Sequence, residues 1–130
     1  MKSEPDVFSW DKLVKDKRTK WDGVRNYQAN NNMKAMKRGD HAFFYHSNEG
    51  REIVGIMKVV KNWHRDPKDK TGHFGFVDVV PMRPLARKVS LATIKNDKQL
   101  KAMALLRQGR LSVSPVSNAE WNRILELAEA

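Results

Sequence analysis

The stretch HAFFYHSNEGREIVGIMKVV, residues 41–60, decides the fold. His41 to Ser47 is an aromatic and apolar run that reads as a strand, Asn48-Glu49-Gly50-Arg51 supplies turn residues, and Glu52 to Val60 reads as a second strand. Together they form a hairpin. In the second strand Ile53, Met57 and Val59 are expected on one face and Val54, Ile56 and Val60 on the other. Both faces are apolar, so the hairpin belongs in the middle of a sheet or barrel.

Downstream, Lys61 to Thr71 reads as an exposed charged loop broken at Asp66-Pro67, and Phe74 to Val80 as a third strand that stops at Pro81 and Pro84. Upstream, Ser9 caps a first helix with Phe8 and Leu13 as its hydrophobic staple, and Lys15 to Lys20 is a solvated break. Trp21 to Asn30 has neither helical nor strand periodicity and reads as a loop held by side-chain hydrogen bonds. Asn31 or Asn32 then caps a short helix, Met33 to Arg38, which Gly39 ends. Beyond Pro84, Ser90 caps a turn through Leu91, Ile94 and Lys95, and Asp97 caps another containing Leu100, Met103 and Ala104. Arg107 to Val113 is expected to be a loop entering a brief strand closed by Pro115. The C-terminal segment is an amphipathic helix: Ser117 and Glu120 form a capping box, and Trp121, Ile124, Leu125 and Ala128 share one side. Central strands with short helices around them give an α+β domain, and so few residues favour a small, partly open barrel. With 130 residues and 40% hydrophobic side chains, one domain covering 1–130 is expected.

The sequence has no cysteine, which excludes disulfides, thiolate metal sites and cysteine nucleophiles, and fits a reducing cytoplasm or nucleus. No apolar leader or membrane span is expected. Lys plus Arg number 25 against 15 Asp plus Glu, a formal charge of +10. That excess favours a polyanionic partner, because neutralised phosphates release condensed counterions. Of the four histidines, His41 and His46 should lie on opposite faces of their strand, and His64 and His73 flank a loop without ligand spacing. Ser3, His46 and Asp22 are the residue types of a hydrolytic triad, but no nucleophile elbow, phosphate-binding loop or zinc-protease motif accompanies them. Neither catalysis nor a metal or cofactor is expected.

Two segments carry groups suited to a nucleobase. In the first, Trp21 and Tyr27 offer flat faces, Asn26 a paired donor and acceptor, and Gly23 close backbone approach. In the second, Arg107, Gln108 and Arg110 concentrate charge and hydrogen-bonding capacity. Both sets also have ordinary scaffold readings, as core aromatics and as ion-pairing arginines. Lys34, Lys37 and Arg38 give the intervening helix a basic face.

Four motifs resemble the EVE domain signature: Lys2-Ser3-Glu4-Pro5, the Trp21-Asp22-Gly23-Val24-Arg25-Asn26-Tyr27-Gln28-Ala29 segment, Phe44-Tyr45-His46-Ser47, and Arg107-Gln108-Gly109-Arg110-Leu111-Ser112-Val113. The chain is similar to single-domain bacterial members and to the thymocyte nuclear protein family. The resemblance implies a PUA-like pseudobarrel of about five or six strands ringed by helices, related to the YTH domains that recognise methylated adenine in RNA. Lys2-Ser3 and Gly23-Val24 match those relatives. Where the YTH pattern continues with Trp, this chain has Arg25-Asn26, and EVE domains are associated instead with modified DNA bases, notably modified cytosines, and with modified RNA. The expected function is binding of nucleic acid, DNA or RNA, through one modified base flipped into a pocket at the barrel mouth. Lys2, Ser3, Trp21, Gly23, Val24, Arg25, Asn26, Tyr27 and Ser47 would form that pocket; Lys34, Lys37, Arg38, Arg107, Gln108 and Arg110 would hold phosphates. An enzyme acting on a modified base and a protein-interaction module are the alternatives.

Overall fold

A computed structural model describes residues 1–129. In chain order the elements are β1 (Lys2–Ser3), α1 (Trp10–Asp16), β2 (Thr19–Lys20), α2 (Tyr27–Ala35), β3 (His41–His46), β4 (Glu52–Arg65) and β5 (Gly75–Ser90). Then follow α3 (Leu91–Asn96), a 3-10 turn (Lys98–Leu100), α4 (Ala104–Arg107) and α5 (Asn118–Glu129). Five strands make one mixed sheet in the order β1-β3-β4-β5-β2. β1 runs parallel to β3, and the other pairs are antiparallel. The expected hairpin is β3–β4, at the centre of this α+β domain.

The two faces of the sheet carry separate cores. On one, Val54, Met57 and Val59 pack with Trp10, Leu13, Trp21, Phe44, Val77 and Val79. On the other, Ile53 and Ile56 join Phe43, Tyr45, Leu85, Val89 and the helical residues Ile94, Leu100 and Ile124. The expected grouping of Ile53 with Met57 and Val59, and of Ile56 with Val54, is therefore corrected. A register shift between Ile53 and Gly55, opposite Phe44 and Tyr45, puts Val54 and Ile56 on opposite faces, since a bulge turns the following side chains to the other face. Gly55 between them is obligatory: a Cβ there would lie 2.5 Å from the Trp10 ring.

Several element boundaries also differ from expectation. α1 runs on to Asp16 and ends at Lys17 with φ 67°, after which Thr19 and Lys20 pair with Val79 and Asp78, so the break is partly a strand. Tyr27 to Asn30 is helix, because Asn26, rather than Asn31 or Asn32, caps α2 by accepting from the Ala29 amide at 2.9 Å. α2 stops at Ala35, and Gly39, at φ +99°, serves the following turn by donating to the Val59 carbonyl. β4 continues to Arg65, and the loop beyond it buries Asp66 and Asp69. β5 passes through both prolines. Met57 pairs with Pro81, Ile56 with Arg83 and Gly55 with Pro84, while β2 pairs β5 only at Asp78 and Val79. A proline is tolerated where a strand bulges or lacks a second neighbour. Residues 108–113 form turns instead of a strand, joined to β1 by the Lys2 amide on the Ser112 carbonyl at 2.8 Å.

The caps of Ser9, Ser90 and Asp97 form as expected, as does the reciprocal Ser117–Glu120 box that starts α5. Arg123 on α5 donates to Asp97 at 2.9 Å and pairs with it at 2.7 Å, tying that helix to the 3-10 turn.

Candidate nucleic-acid interface

Pairing of β1 with β3 sets the N-terminal motif beside the end of the central hairpin. Lys2 lies opposite Tyr45 and Ser3 opposite His46, and the Ser47 amide donates to the Ser3 carbonyl at 2.9 Å. Strand alternation therefore divides the motif between the two faces. The Ser3 hydroxyl donates to the Phe8 carbonyl at 2.6 Å. The Nε2 atom of His46 accepts the Trp10 amide at 3.0 Å, an otherwise orphaned donor in the first turn of α1. Burial lowers the His46 pKa, with Lys88 acting in the same sense and Glu52 and Asp11 opposing it. Ser3 and His46 thus make no hydrogen bond to each other, and each is engaged by main chain. His41 stacks on Trp121 whereas His46 meets Phe44, so the two histidines do occupy opposite faces.

Phe44 is the centre of an aromatic cluster. It is fully buried, with Trp10 and Trp21 edge-on at 5.6 Å and Phe8 at 6.3 Å. Trp21 is 8% exposed, and its amide donates to the Val77 carbonyl. It is a core residue with no open face for stacking. Gly23 follows at φ +76°, a backbone that favours glycine, and Val24 turns back into the core.

Arg25, Asn26 and Tyr27 face another way. The Arg25 guanidinium pairs with Asp66 at 3.2 Å and lies 5.7 Å over the Phe74 ring. Tyr27 is 61% exposed, its ring 5.0 Å from Phe74 and its hydroxyl 3.3 Å from His73 Nδ1. Trp21 and Tyr27 thus have different aromatic partners, Phe44 and Phe74. Asn26 is exposed; its oxygen caps α2, while its amide NH2 has no partner among the described residues.

Asn30 and Asp69 brace this corner. Buried Asn30 accepts from Trp63 Nε1 at 2.9 Å and from the Gly75 amide at 3.1 Å, and donates to the His73 carbonyl at 2.9 Å. Asp69 accepts from the Phe74 and Thr71 amides and the Thr71 hydroxyl; these bonds, the Phe74 amide foremost, bring its pKa down to about 2. Asp66-Pro67 followed by Asp69-Lys70-Thr71 is a turn-forming pattern that could have flagged the loop. Nothing local marks Asn30.

The basic candidates lie on the surface. Lys34 Nζ sits 4.6 Å over the Trp63 ring, and the turn holding Lys37 and Arg38 is fixed through their amides on Asp40 and Asn62. Arg107, Gln108 and Arg110 are exposed around the end of α4. Lys2 Nζ donates to the Gly109 carbonyl at 2.5 Å, bringing the first and last motifs together. Among the described residues no cluster of three or more histidines and carboxylates could hold a metal, and no helix is long and apolar enough to cross a membrane.

A mixed sheet with two apolar faces, a basic surface and the four motifs gathered about β1, β3 and the start of α2 define a PUA-like α+β domain. The EVE domain family matches residues 1–127, and the chain belongs to that family. Human thymocyte nuclear protein 1 is 40% identical over 134 residues, covering 85% of this chain and 60% of that protein. This chain therefore spans less than two thirds of the length of that relative. Rpa0253 from Rhodopseudomonas palustris superposes with a TM-score of 0.94 at 45% identity, covering 99% of this chain and 90% of that one. Human THYN1 in complex with 5-methylcytosine-containing DNA superposes with a TM-score of 0.91 at 37% identity, covering 100% of this chain and 96% of that one.

Proposed function

We propose that this domain binds DNA through one modified cytosine, without catalysing a reaction on it. The observation that carries this reading is the likeness, at a TM-score of 0.91 over the whole chain, to a THYN1 protein in complex with 5-methylcytosine-containing DNA. A formal charge of +10 supports it by favouring phosphate contacts.

In this reading the base leaves its stack and meets the surface between the Ser3–Ser47 strand pair and the start of α2. The free amide of Asn26 reads a base edge, Arg25 and Tyr27 supply a cation and an aromatic face, and Gly23–Val24 set the approach. Trp21 acts from behind through Phe44, and Lys2 steadies the turn of Arg107, Gln108 and Arg110. Extrusion costs a few kcal/mol, which stacking of about 1 to 3 kcal/mol per base offsets. Lys34, Lys37, Arg38, Arg107 and Arg110 hold phosphates. The engagement of the Ser3 hydroxyl by the Phe8 carbonyl and of His46 Nε2 by the Trp10 amide gives both side chains structural roles, which supports the binding reading.

The test is titration of oligonucleotides that differ only in one 5-methylcytosine, in single-stranded and duplex DNA and RNA, at fixed salt, with mass spectrometry of the recovered strands. Preference for the methylated strand with unchanged mass is expected. Equal binding of both strands, or release of a product, overturns the reading.

A further inference from the structure

A cavity of about 540 Å³ opens on the face of β1 and β3 that carries Lys2 and Tyr45, closed on its far side by residues 112–116 and by α5. It is lined by Tyr45, Phe43 and Trp121, but not by Trp21 or by residues 23–27. Its volume is within the range of small-ligand sites.

Several of its polar groups are open to a ligand. Tyr45 is only 6% exposed, yet its hydroxyl bonds to no described residue, and burial raises its pKa, keeping it a donor. The hydroxyls of Ser112 and Ser114, the Asn118 amide and Trp121 Nε1 also line the space with no partner among the described residues. These groups offer both donors and acceptors to the space, so the lining is suited to a ligand that carries several of each. Two bonds fix the far wall: Asn32 Nδ2 donates to the Val113 carbonyl at 2.7 Å and the Lys2 amide to that of Ser112 at 2.8 Å.

The lining carries one lysine, Lys2, against one aspartate, Asp40, and its aromatic part, in which Phe43 and Trp121 stack on each other at 3.8 Å, suits an uncharged apolar ring better than an ion. Exposed cationic residues neighbour the lining segments along the chain. Lys37 and Arg38 lie between the lining residues Met36 and Asp40, and Arg107 and Arg110 fall between Leu105 and Ser112. Phosphates bound by these residues would carry a strand past the cavity. We propose that the cavity accepts one unpaired nucleobase of the bound strand, a second base site separate from the Arg25–Tyr27 surface. The inference rests on the nucleic-acid reading above, and a site that needs an unpaired base favours single-stranded or locally opened nucleic acid.

The test uses the whole chain and a short single-stranded DNA with one 5-methylcytosine, in which each neighbouring nucleotide is replaced in turn by an abasic residue. Two sensitive positions are expected, the methylcytosine and one neighbour. Tyr45→Phe, which keeps the ring and removes one hydrogen bond, should weaken binding about threefold to tenfold and remove the sensitivity of the neighbour alone. Ser114→Trp, which fills the space, should weaken binding at least about tenfold with an unchanged melting temperature. A single sensitive position, or full affinity in a folded Ser114→Trp variant, overturns the second site and leaves the reading of methylcytosine standing. Failure of the unaltered chain to bind any oligonucleotide overturns both.

Discussion

At the scale of single residues, His46 does structural work that its motif does not announce. Its Nε2 lone pair accepts the Trp10 amide, so only the neutral ring fits. Its folded pKa is lowered from the ordinary value of 6.5, whereas in the unfolded chain it titrates near that value, about 6.5. Between the two values the unfolded chain binds more protons, so stability is complete above about pH 6.5 and falls as the pH drops through the folded value. Melting temperatures measured across that window should decline on acidification, and His46→Gln, whose oxygen can still accept, should flatten the slope. Asn30 is a second such residue. Asn30→Leu leaves the Gly75 amide, Trp63 Nε1 and the His73 carbonyl without their partner, and should cost about 2 to 4 kcal/mol in urea unfolding. An unchanged midpoint would mean that the partners find water or one another.

At the scale of elements, α2 joins stability to recognition. Its cap is Asn26, the residue whose remaining amide is proposed to read a base. Asn26→Ala should therefore lower stability by about 1 kcal/mol and also abolish preference for the methylated strand; Asn26→Ser, which can cap but offers no amide, should restore the first and not the second. Unfolding and binding measured on the same preparations separate the effects. Legibility in the sequence followed locality. Caps at Ser9, Ser90, Asp97 and Ser117 were readable because each acts within three residues of itself. The β3–β4 hairpin was readable because two apolar runs flank a turn. The start of α2 was not, since Asn26, Asn30, Asn31 and Asn32 are all competent caps and tertiary bonds choose among them. Bulges in β4 and the passage of β5 through Pro81 and Pro84 depend on partner strands distant in sequence. The site divided likewise: its motifs were visible, whereas the burial of Trp21 and the corner built by Asn30, Asp66 and Asp69 arise from long-range contacts.

At the scale of the whole molecule, the excess of cations predicts how binding responds to salt. The logarithm of the affinity for duplex DNA should fall linearly with the logarithm of salt, and Lys37→Ala should reduce the slope by about 0.9 while weakening methylated and plain strands alike. A change confined to the methylated strand would move Lys37 from the phosphate track to the base site. The shortness of β2 bears on a different property, the behaviour of the protein at high concentration. Because β2 covers β5 only at Asp78 and Val79, the remainder of that edge, down to Ser90, has no neighbouring strand on its outer side. Exposed edges of this length can recruit the strands of other molecules. Here two prolines lack the amide hydrogens such a strand would need, and Arg83, Arg87 and Lys88 stand exposed along the same stretch. The prolines that make the sequence read as if the strand ended at Val80 are thus also its protection against growing into an intermolecular sheet.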